Sequence, residues 1–373
     1  MSDTSDDQLR ANTPFLVVDD LKTHFEVPAG MVKAVDGVSF ELELGKTLGI
    51  VGESGSGKSV LSRSVMGLNV ASNAHMTGSV EYNGRELVGL RSNEIKKLWG
   101  AEMAMVFQDP MTSLNPVVKV GRQMTEHVRK HLGLSKKDAR ALAVDLLRSV
   151  HIPEPDKRFE NYPHQMSGGM RQRVCIAIAL ACGPEILFAD EPTTALDVTV
   201  QHQILNLLAE QQRERNMTMI MVTHDLGVVA GRADQIAVMY AGKIVETASA
   251  KGLFANMRHP YTQALLRSIP KTSQAKHSRL QAISGRPPDL ISPPPGCKFA
   301  PRCPYAQEQC REEEPELREV GATGHQFACH IPVGSEASDE AFAKNLEAEL
   351  PQAMAYAGRI AAVEDLSVLG VSN

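Results

Sequence analysis

TLGIVGESGSGKSVLSRSVMGL, residues 47–68, decides the fold. An uninterrupted apolar run, Thr47 to Val51, passes into Gly52-Glu53-Ser54-Gly55-Ser56-Gly57-Lys58-Ser59 and then into a stretch of helical character. The loop fits the pattern GxxxxGK[ST]. Glycines let the backbone curl so that successive N–H groups point at phosphate oxygens, and the following helix adds the positive end of its dipole. In that arrangement Lys58 reaches the β- and γ-phosphates of a nucleotide and the Ser59 hydroxyl binds Mg²⁺. A chance glycine turn is the plain alternative; the strand before and the helix after weigh against it.

Working outward, EILFADE (residues 185–191) supplies a second half. A buried strand ends in Asp190, placed to hold magnesium directly or through water. Glu191 follows, where a carboxylate beside bound ATP polarises an attacking water. From Ser167 onward apolar strands alternate with amphipathic helices, which argues for a mainly parallel sheet covered on both faces. Residues 15–50 read as short antiparallel strands, and GSVEYNGREL as a hairpin turning at Asn83-Gly84. Residues 120–150 have helical periodicity. Past residue 257 proline becomes dense (RPPDLISPPPG) and periodicity fades, which marks a domain boundary; residues 336–373 read as a helical or partly disordered tail.

The 373 residues suffice for two compact domains. A net charge of −5 gives no basic surface of the kind nucleic acid requires. No stretch approaches the ~20 apolar residues of a membrane-spanning helix. The acidic, polar residues 1–14 read as a disordered tail rather than a secretory signal, so a cytosolic protein is expected. Of six cysteines, Cys175 and Cys182 read as small buried hydrophobes in an apolar helix. Cys297, Cys303, Cys310 and Cys329, separated by five, six and eighteen residues, suggest a metal more than disulfides in a reducing cytosol. Their spacing matches neither zinc knuckles nor ferredoxins, and four thiolates suit Zn²⁺ or a 4Fe–4S cluster. His325 or His330 is an alternative ligand.

A third motif narrows the reading. Met166-Ser167-Gly168-Gly169-Met170 begins a helix with a good N-cap and two glycines. Standing before the Asp190 strand, it resembles the signature of ABC ATPases, with methionine at both ends. Gln108 in VFQDP, Ala195-Leu196-Asp197 and His224 in MVTHD complete an ordered set of five motifs. The resemblance implies an α/β P-loop NTPase of ABC type: a mainly parallel core sheet with helices, an antiparallel β subdomain and a helical subdomain at about 110–182. It spans 15–256, followed by a small Pro/Cys-rich C-terminal domain at 257–335. It further implies head-to-tail pairing, with ATP between the phosphate loop of one subunit and the signature of the other. Ser54, Gly55, Ser56, Gly57, Lys58, Ser59 and Val60 would then bind nucleotide, with Ser59, Asp190 and Gln108 at the magnesium. Glu191 would be the general base and His224 would hold the γ-phosphate and water. Ser167, Gly168 and Gly169 would contact the partner's ATP. Phe25 matches the aromatic that stacks on adenine, although the VPAG segment blurs the alignment and a plain strand residue is the alternative.

ADEPTTALDVTVQ, His259-Pro260-Tyr261 and GCKFAPRCPYAQEQC resemble the oligopeptide/dipeptide permease ATP-binding subunits more closely. That resemblance implies import of short peptides at the cytoplasmic face of a bacterial inner membrane. It implies two membrane-spanning permease subunits, a second ATP-binding subunit and an extracytoplasmic peptide-binding protein as partners. It shifts the cysteine cluster toward 4Fe–4S, in a structural role. Nickel is an alternative cargo. A soluble ABC protein acting on nucleic acid would need coiled-coil insertions or tandem nucleotide domains, and the chain has neither. Retention of Lys58, Asp190, Glu191 and His224 argues against a hydrolysis-dead module.

Overall fold

The computed structural model describes residues 14–69, 71–194, 196–268, 283–321 and 323–357. The expected N-terminal tail up to residue 13, Ala195, and the C-terminal tail beyond residue 357 lie outside them.

Strand β3 (Thr47–Val51) is buried at every position. It runs parallel between β8 (Thr218–Thr223) and β9 (Gln235–Tyr240). Beyond β8, β7 (Ile186–Asp190) and β6 (Met103–Val106) continue the parallel ladder. ILFAD and TMIMVT carry apolar residues on both faces because helices cover both sides of the sheet, and every residue of these two strands is buried. On the β9 side the sheet becomes antiparallel through β10 (Lys243–Ser249), β12 (Gln326–Phe327) and β11 (Arg318–Glu319). The C-terminal region thus adds two short strands to the core sheet. Since β3, β7 and β8 are parallel, the loops bearing Gly52–Lys58, Glu191 and His224 all leave from one sheet edge, where α/β proteins bind ligands.

A second, antiparallel sheet has the order β2-β1-β4-β5, from Gly30–Leu42, Leu16–Val27, Ala74–Tyr82 and Arg85–Glu86. Its first two strands are longer than the short strands expected. The ladder shifts register between Val18 and Leu21, and Asp20 adopts φ 43°. This bulge carries β1 past the polar Asp19-Asp20 pair, which would otherwise have ended it. The VPAG segment is the tight turn itself, since Val27 pairs with Gly30. Asn83 and Gly84 make the expected hairpin turn, both with positive φ.

Helices Val120–Leu132, Lys136–Ser149 and Gly168–Ala179 bury Met124, Val128, Ala143, Leu147 and Val174 in one core that continues into the parallel sheet. Beyond helix Pro260–Arg267, residues 283–335 form turns and short elements around the four clustered cysteines. Helices Glu336–Glu347 and Pro351–Ala357 fold back on them. There Asn345 Nδ2 donates to the Pro304 carbonyl (2.9 Å), and the Tyr356 and Tyr305 hydroxyls meet at 2.6 Å. Among the described residues no helix is long and apolar enough to cross a membrane.

Candidate nucleotide site

The phosphate loop takes its shape from two crowded glycines. A Cβ at Gly52 would stand 2.1 Å from the Met239 carbonyl, and one at Gly57, which has φ 103°, would stand 2.1 Å from the Ala34 carbonyl. Gly57 caps helix Lys58–Val65, which places the N-terminal N–H groups of that helix at the loop. Lys58 is buried, and its Nζ donates to the carbonyls of Gly52 (2.8 Å) and Glu53 (2.9 Å). Burial lowers the pKa of its ammonium group, while Glu191, Asp190 and Glu53 pull the other way. The Ser56 hydroxyl is buried without a partner, an orphan of the kind a bound phosphate would satisfy.

Ser59 Oγ donates to Asp190 Oδ1 at 2.7 Å, so the two expected magnesium ligands already touch. Asp190 is buried, and burial raises the pKa of its carboxyl despite the Ser59 bond and the Arg63 guanidinium 4.0 Å away. Glu191 follows at φ 45°, in the left-handed region. Three groups converge on its Oε2: Gln108 Nε2 donates at 3.0 Å, Thr194 Oγ1 donates at 3.0 Å, and His224 Nδ1 stands at 3.4 Å. The His224 bond holds the carboxyl of Glu191 below the usual range, and Glu191 in turn raises the pKa of His224.

An open pocket of about 910 Å³ adjoins these groups. Ser54, Lys58, Ser59, Gln108, Glu191 and His224 give it polar lining, with Gly55, Gly57 and Val60 beside them. Phe25 also lines it, with Val32, its cross-strand partner, and Ala34. Leu265, Ile283 and Leu290 from the C-terminal region line it as well. Reading the sequence missed these three and Thr194; an apolar side chain more than two hundred residues from the loop carries no local signal. Ser167, Gly168 and Gly169 do not line the pocket. Ser167 caps helix Gly168–Ala179 by accepting from the Met170 amide (3.3 Å), and Ser167 and Gly168 face solvent. Met166, just before the cap, is buried.

Cys297, Cys303, Cys310 and Cys329 are all free thiols, and all four line one cavity. The cavity holds only about 10 Å³, room for at most a single water. Among the described residues, no group of three or more His, Cys, Asp or Glu side chains is arranged to hold a metal ion. The expected 4Fe–4S or zinc site on these cysteines therefore has its donor set gathered, but not in an arrangement that holds a metal ion, and the cavity has no space for a 4Fe–4S cluster. Burial pushes the Cys297 thiol up to about 11 and Cys329 up to about 12, so both are protonated at neutral pH. His325 is turned away from the cavity, with Nε2 2.8 Å from Glu246 Oε1; His330 lines it, with Nε2 3.0 Å from the Glu313 carbonyl.

Residues 35–194 match the ABC transporter family, and residues 245–310 match the family described as the oligopeptide/dipeptide transporter C-terminal region. The chain is 50% identical over 318 residues to the dipeptide transport ATP-binding protein DppD of Escherichia coli, covering 85% of this chain and 97% of that one. It is 47% identical over 333 residues to the oligopeptide transport ATP-binding protein OppD of Salmonella typhimurium, covering 89% and 98%. Among solved structures it is similar to a dimeric ATP-binding cassette in a post-hydrolysis state bound to ADP and Pi. That likeness has a TM-score of 0.57 and 26% identity, and covers 63% of this chain and 98% of the other. The chain belongs to the dipeptide and oligopeptide transport ATP-binding proteins of the ABC family, and its enzymatic activity is the hydrolysis of ATP.

Proposed function

We propose that ATP hydrolysis by this chain drives uptake of short peptides across a bacterial cytoplasmic membrane, with the chain peripheral on the cytoplasmic face. The observation that carries this reading is the near full-length match to dipeptide and oligopeptide transport ATP-binding proteins, which runs on through the C-terminal region. Its partners are then two membrane-spanning permease subunits, a second ATP-binding subunit and an extracytoplasmic peptide-binding protein. In this reading residues 15–256 are the nucleotide-binding domain and 257–335 the C-terminal domain, with 336–373 as its tail.

The residues divide the work as follows. The loop amides of residues 54–60 bind the phosphates, and Lys58 exchanges its two carbonyl partners for β- and γ-phosphate oxygens. Phe25 supports the base. Ser59 and Asp190 would hold Mg²⁺, with Gln108 beside them; the ion, when bound, neutralises charge on the phosphate oxygens. Glu191 Oε2 accepts a proton from the attacking water, and His224 and Gln108, already on that oxygen, keep it aimed. Ser167 and Gly168, exposed, and the half-buried Gly169, all outside this pocket, serve the nucleotide of a facing subunit, whose own signature completes this one. Closing on ATP and reopening after hydrolysis then give the two states that the permease subunits follow.

Glu191→Gln tests the assignment. It should retain ATP binding while lowering hydrolysis by roughly 10²–10⁴-fold, the usual contribution of a general base. Hydrolysis near the wild-type rate would remove Glu191 from the mechanism. Co-purification with the tagged chain tests the transport reading, which fails if no permease subunit is recovered or if the assembled complex takes up no peptide.

A four-thiolate metal centre, 4Fe–4S or Zn²⁺, is the finer part of the proposal. Its support is the convergence of four thiols on one cavity. About 10 Å³ admits no 4Fe–4S cluster, so loading one has to open the cavity, whereas a single Zn²⁺ needs only that the thiols close around it. Iron, sulfide and zinc analysis after anaerobic purification decides the matter, and a metal-free, stably folded protein ends it.

A further inference from the structure

Glu53, the second residue of the phosphate loop, is held at three places. Its carbonyl accepts from Lys58 Nζ. Its amide donates to the Tyr261 hydroxyl at 2.7 Å. Its carboxylate takes both arms of the Arg302 guanidinium, Nη1 to Oε2 at 2.5 Å and Nη2 to Oε1 at 3.0 Å. Tyr261 and Arg302 both lie beyond residue 257, so the C-terminal region grips the loop that the family's phosphate chemistry depends on.

The grip is built rather than incidental. The Arg302 side chain is 3% exposed and that of Glu53 is 27% exposed, so the pair is largely shielded from water. The fork is aimed from behind: Arg302 Nε donates to the Ser284 carbonyl at 2.9 Å and Nη1 to the Tyr240 hydroxyl at 3.3 Å. Tyr261 packs on Tyr240 and Phe299, with ring centroids 4.5 and 5.4 Å apart. Arg302 ends the short turn Ala300–Arg302, and the next residue is Cys303, whose thiol lines the cysteine cavity. A bidentate guanidinium–carboxylate pair fixes direction as well as charge.

The consequence is electrostatic. Glu53 lines the same pocket as Lys58, so without Arg302 its carboxylate would be an uncompensated negative charge beside a polyanionic ligand. We propose that Arg302, supported by Tyr261, is a positioning residue for ATP: it neutralises Glu53 and holds the phosphate loop in the shape that accepts phosphate. This rests on the ATP-site reading given above.

A double-substitution cycle on the full chain tests it, using Arg302→Met, Glu53→Gln and the pair together. ATP dissociation constants are measured by titration at low and high salt, alongside KM and kcat for hydrolysis. Arg302→Met should weaken ATP binding about tenfold at low salt, with the loss shrinking as salt screens the exposed carboxylate. The effect should fall on KM more than on kcat. Glu53→Gln should lose less, and the double variant should return to the Glu53→Gln level. A merely scaffolding role for Arg302 predicts that the double variant stays as weak as Arg302→Met, with no salt dependence; that result, or unchanged affinity in Arg302→Met, overturns the proposal. Should Arg302→Met fail to fold, Arg302→Gln runs through the same cycle, because it also removes the charge while keeping a polar side chain in the Arg302 position. Absence of ATP binding by the wild-type chain would instead sink the nucleotide-site reading.

Discussion

The nucleotide pocket and the thiol cavity hold most of the reactive side chains of this protein, and they are built in opposite ways. The pocket is open, about 910 Å³, and its charged groups pair with one another: Lys58 with loop carbonyls, Ser59 with Asp190, and Glu191 with Gln108, Thr194 and His224. The cavity is small, about 10 Å³, and burial keeps the thiols of Cys297, Cys303 and Cys329 neutral. An open polar site survives without its ligand because its groups satisfy each other in advance. A buried thiol site survives because the reactive form is suppressed, so any chemistry there waits on opening or deprotonation.

The difference can be broken first on the pocket side. Asp190→Ala deprives the pocket-lining Ser59 of its buried carboxylate partner; ATP hydrolysis should fall by roughly 10²–10³-fold, as when one transition-state contact is lost. Steady-state phosphate release measures it. On the cavity side, thiols raised to about 11 and about 12 carry far less thiolate at pH 8 than free cysteine. Alkylation of Cys297 and Cys329 in folded, metal-free protein should be on the order of 100-fold slower than in denaturant, and should accelerate with rising pH. Equal rates, read by mass spectrometry, would mean the cavity is open in solution. Cys303→Ser places a hydroxyl among buried apolar neighbours and should cost about 1–3 kcal/mol in urea unfolding. An unchanged midpoint would show that this site is wet.

The smallest expected effect concerns pH. The folded pKa of His224 is raised above 6.5, so its contribution to stability is complete below 6.5 and fades as pH rises through the folded value. The folded pKa of Glu191 is lowered below 4.5, so its contribution is complete above 4.5 and fades as pH falls through the folded value. The pair is therefore strongest between about pH 4.5 and 6.5. With the His224 side chain 61% exposed, solvent screens much of the attraction. His224→Gln should flatten the decline of the thermal midpoint above pH 6.5 by no more than ~2 °C, and a steeper decline would contradict the pairing.

Legibility in the sequence follows the same divide. Lys58, Ser59, Asp190 and Glu191 could be read because a strand, a glycine loop and a helix form one contiguous pattern. Phe25 came only through family resemblance, since an aromatic in a strand has no signal of its own; it lines the pocket because the VPAG turn folds Val32 back beside it. The cysteine spacing foretold convergence and could not foretell room. The Arg302 and Tyr261 contacts with Glu53 span 249 and 208 residues, and no local periodicity encodes a contact of that range. β1 was underestimated because a bulge at Asp20 rescues a segment that polarity would have broken.

The left-handed backbone of Glu191 sets evolution two incompatible targets at one codon. A non-glycine residue held there costs about 1–2 kcal/mol, which glycine would give back to the fold. A library screened only for survival of heating should therefore admit Glu191→Gly wherever the relieved strain outweighs the lost contacts with Gln108, Thr194 and His224, yielding proteins that bind ATP and no longer hydrolyse it.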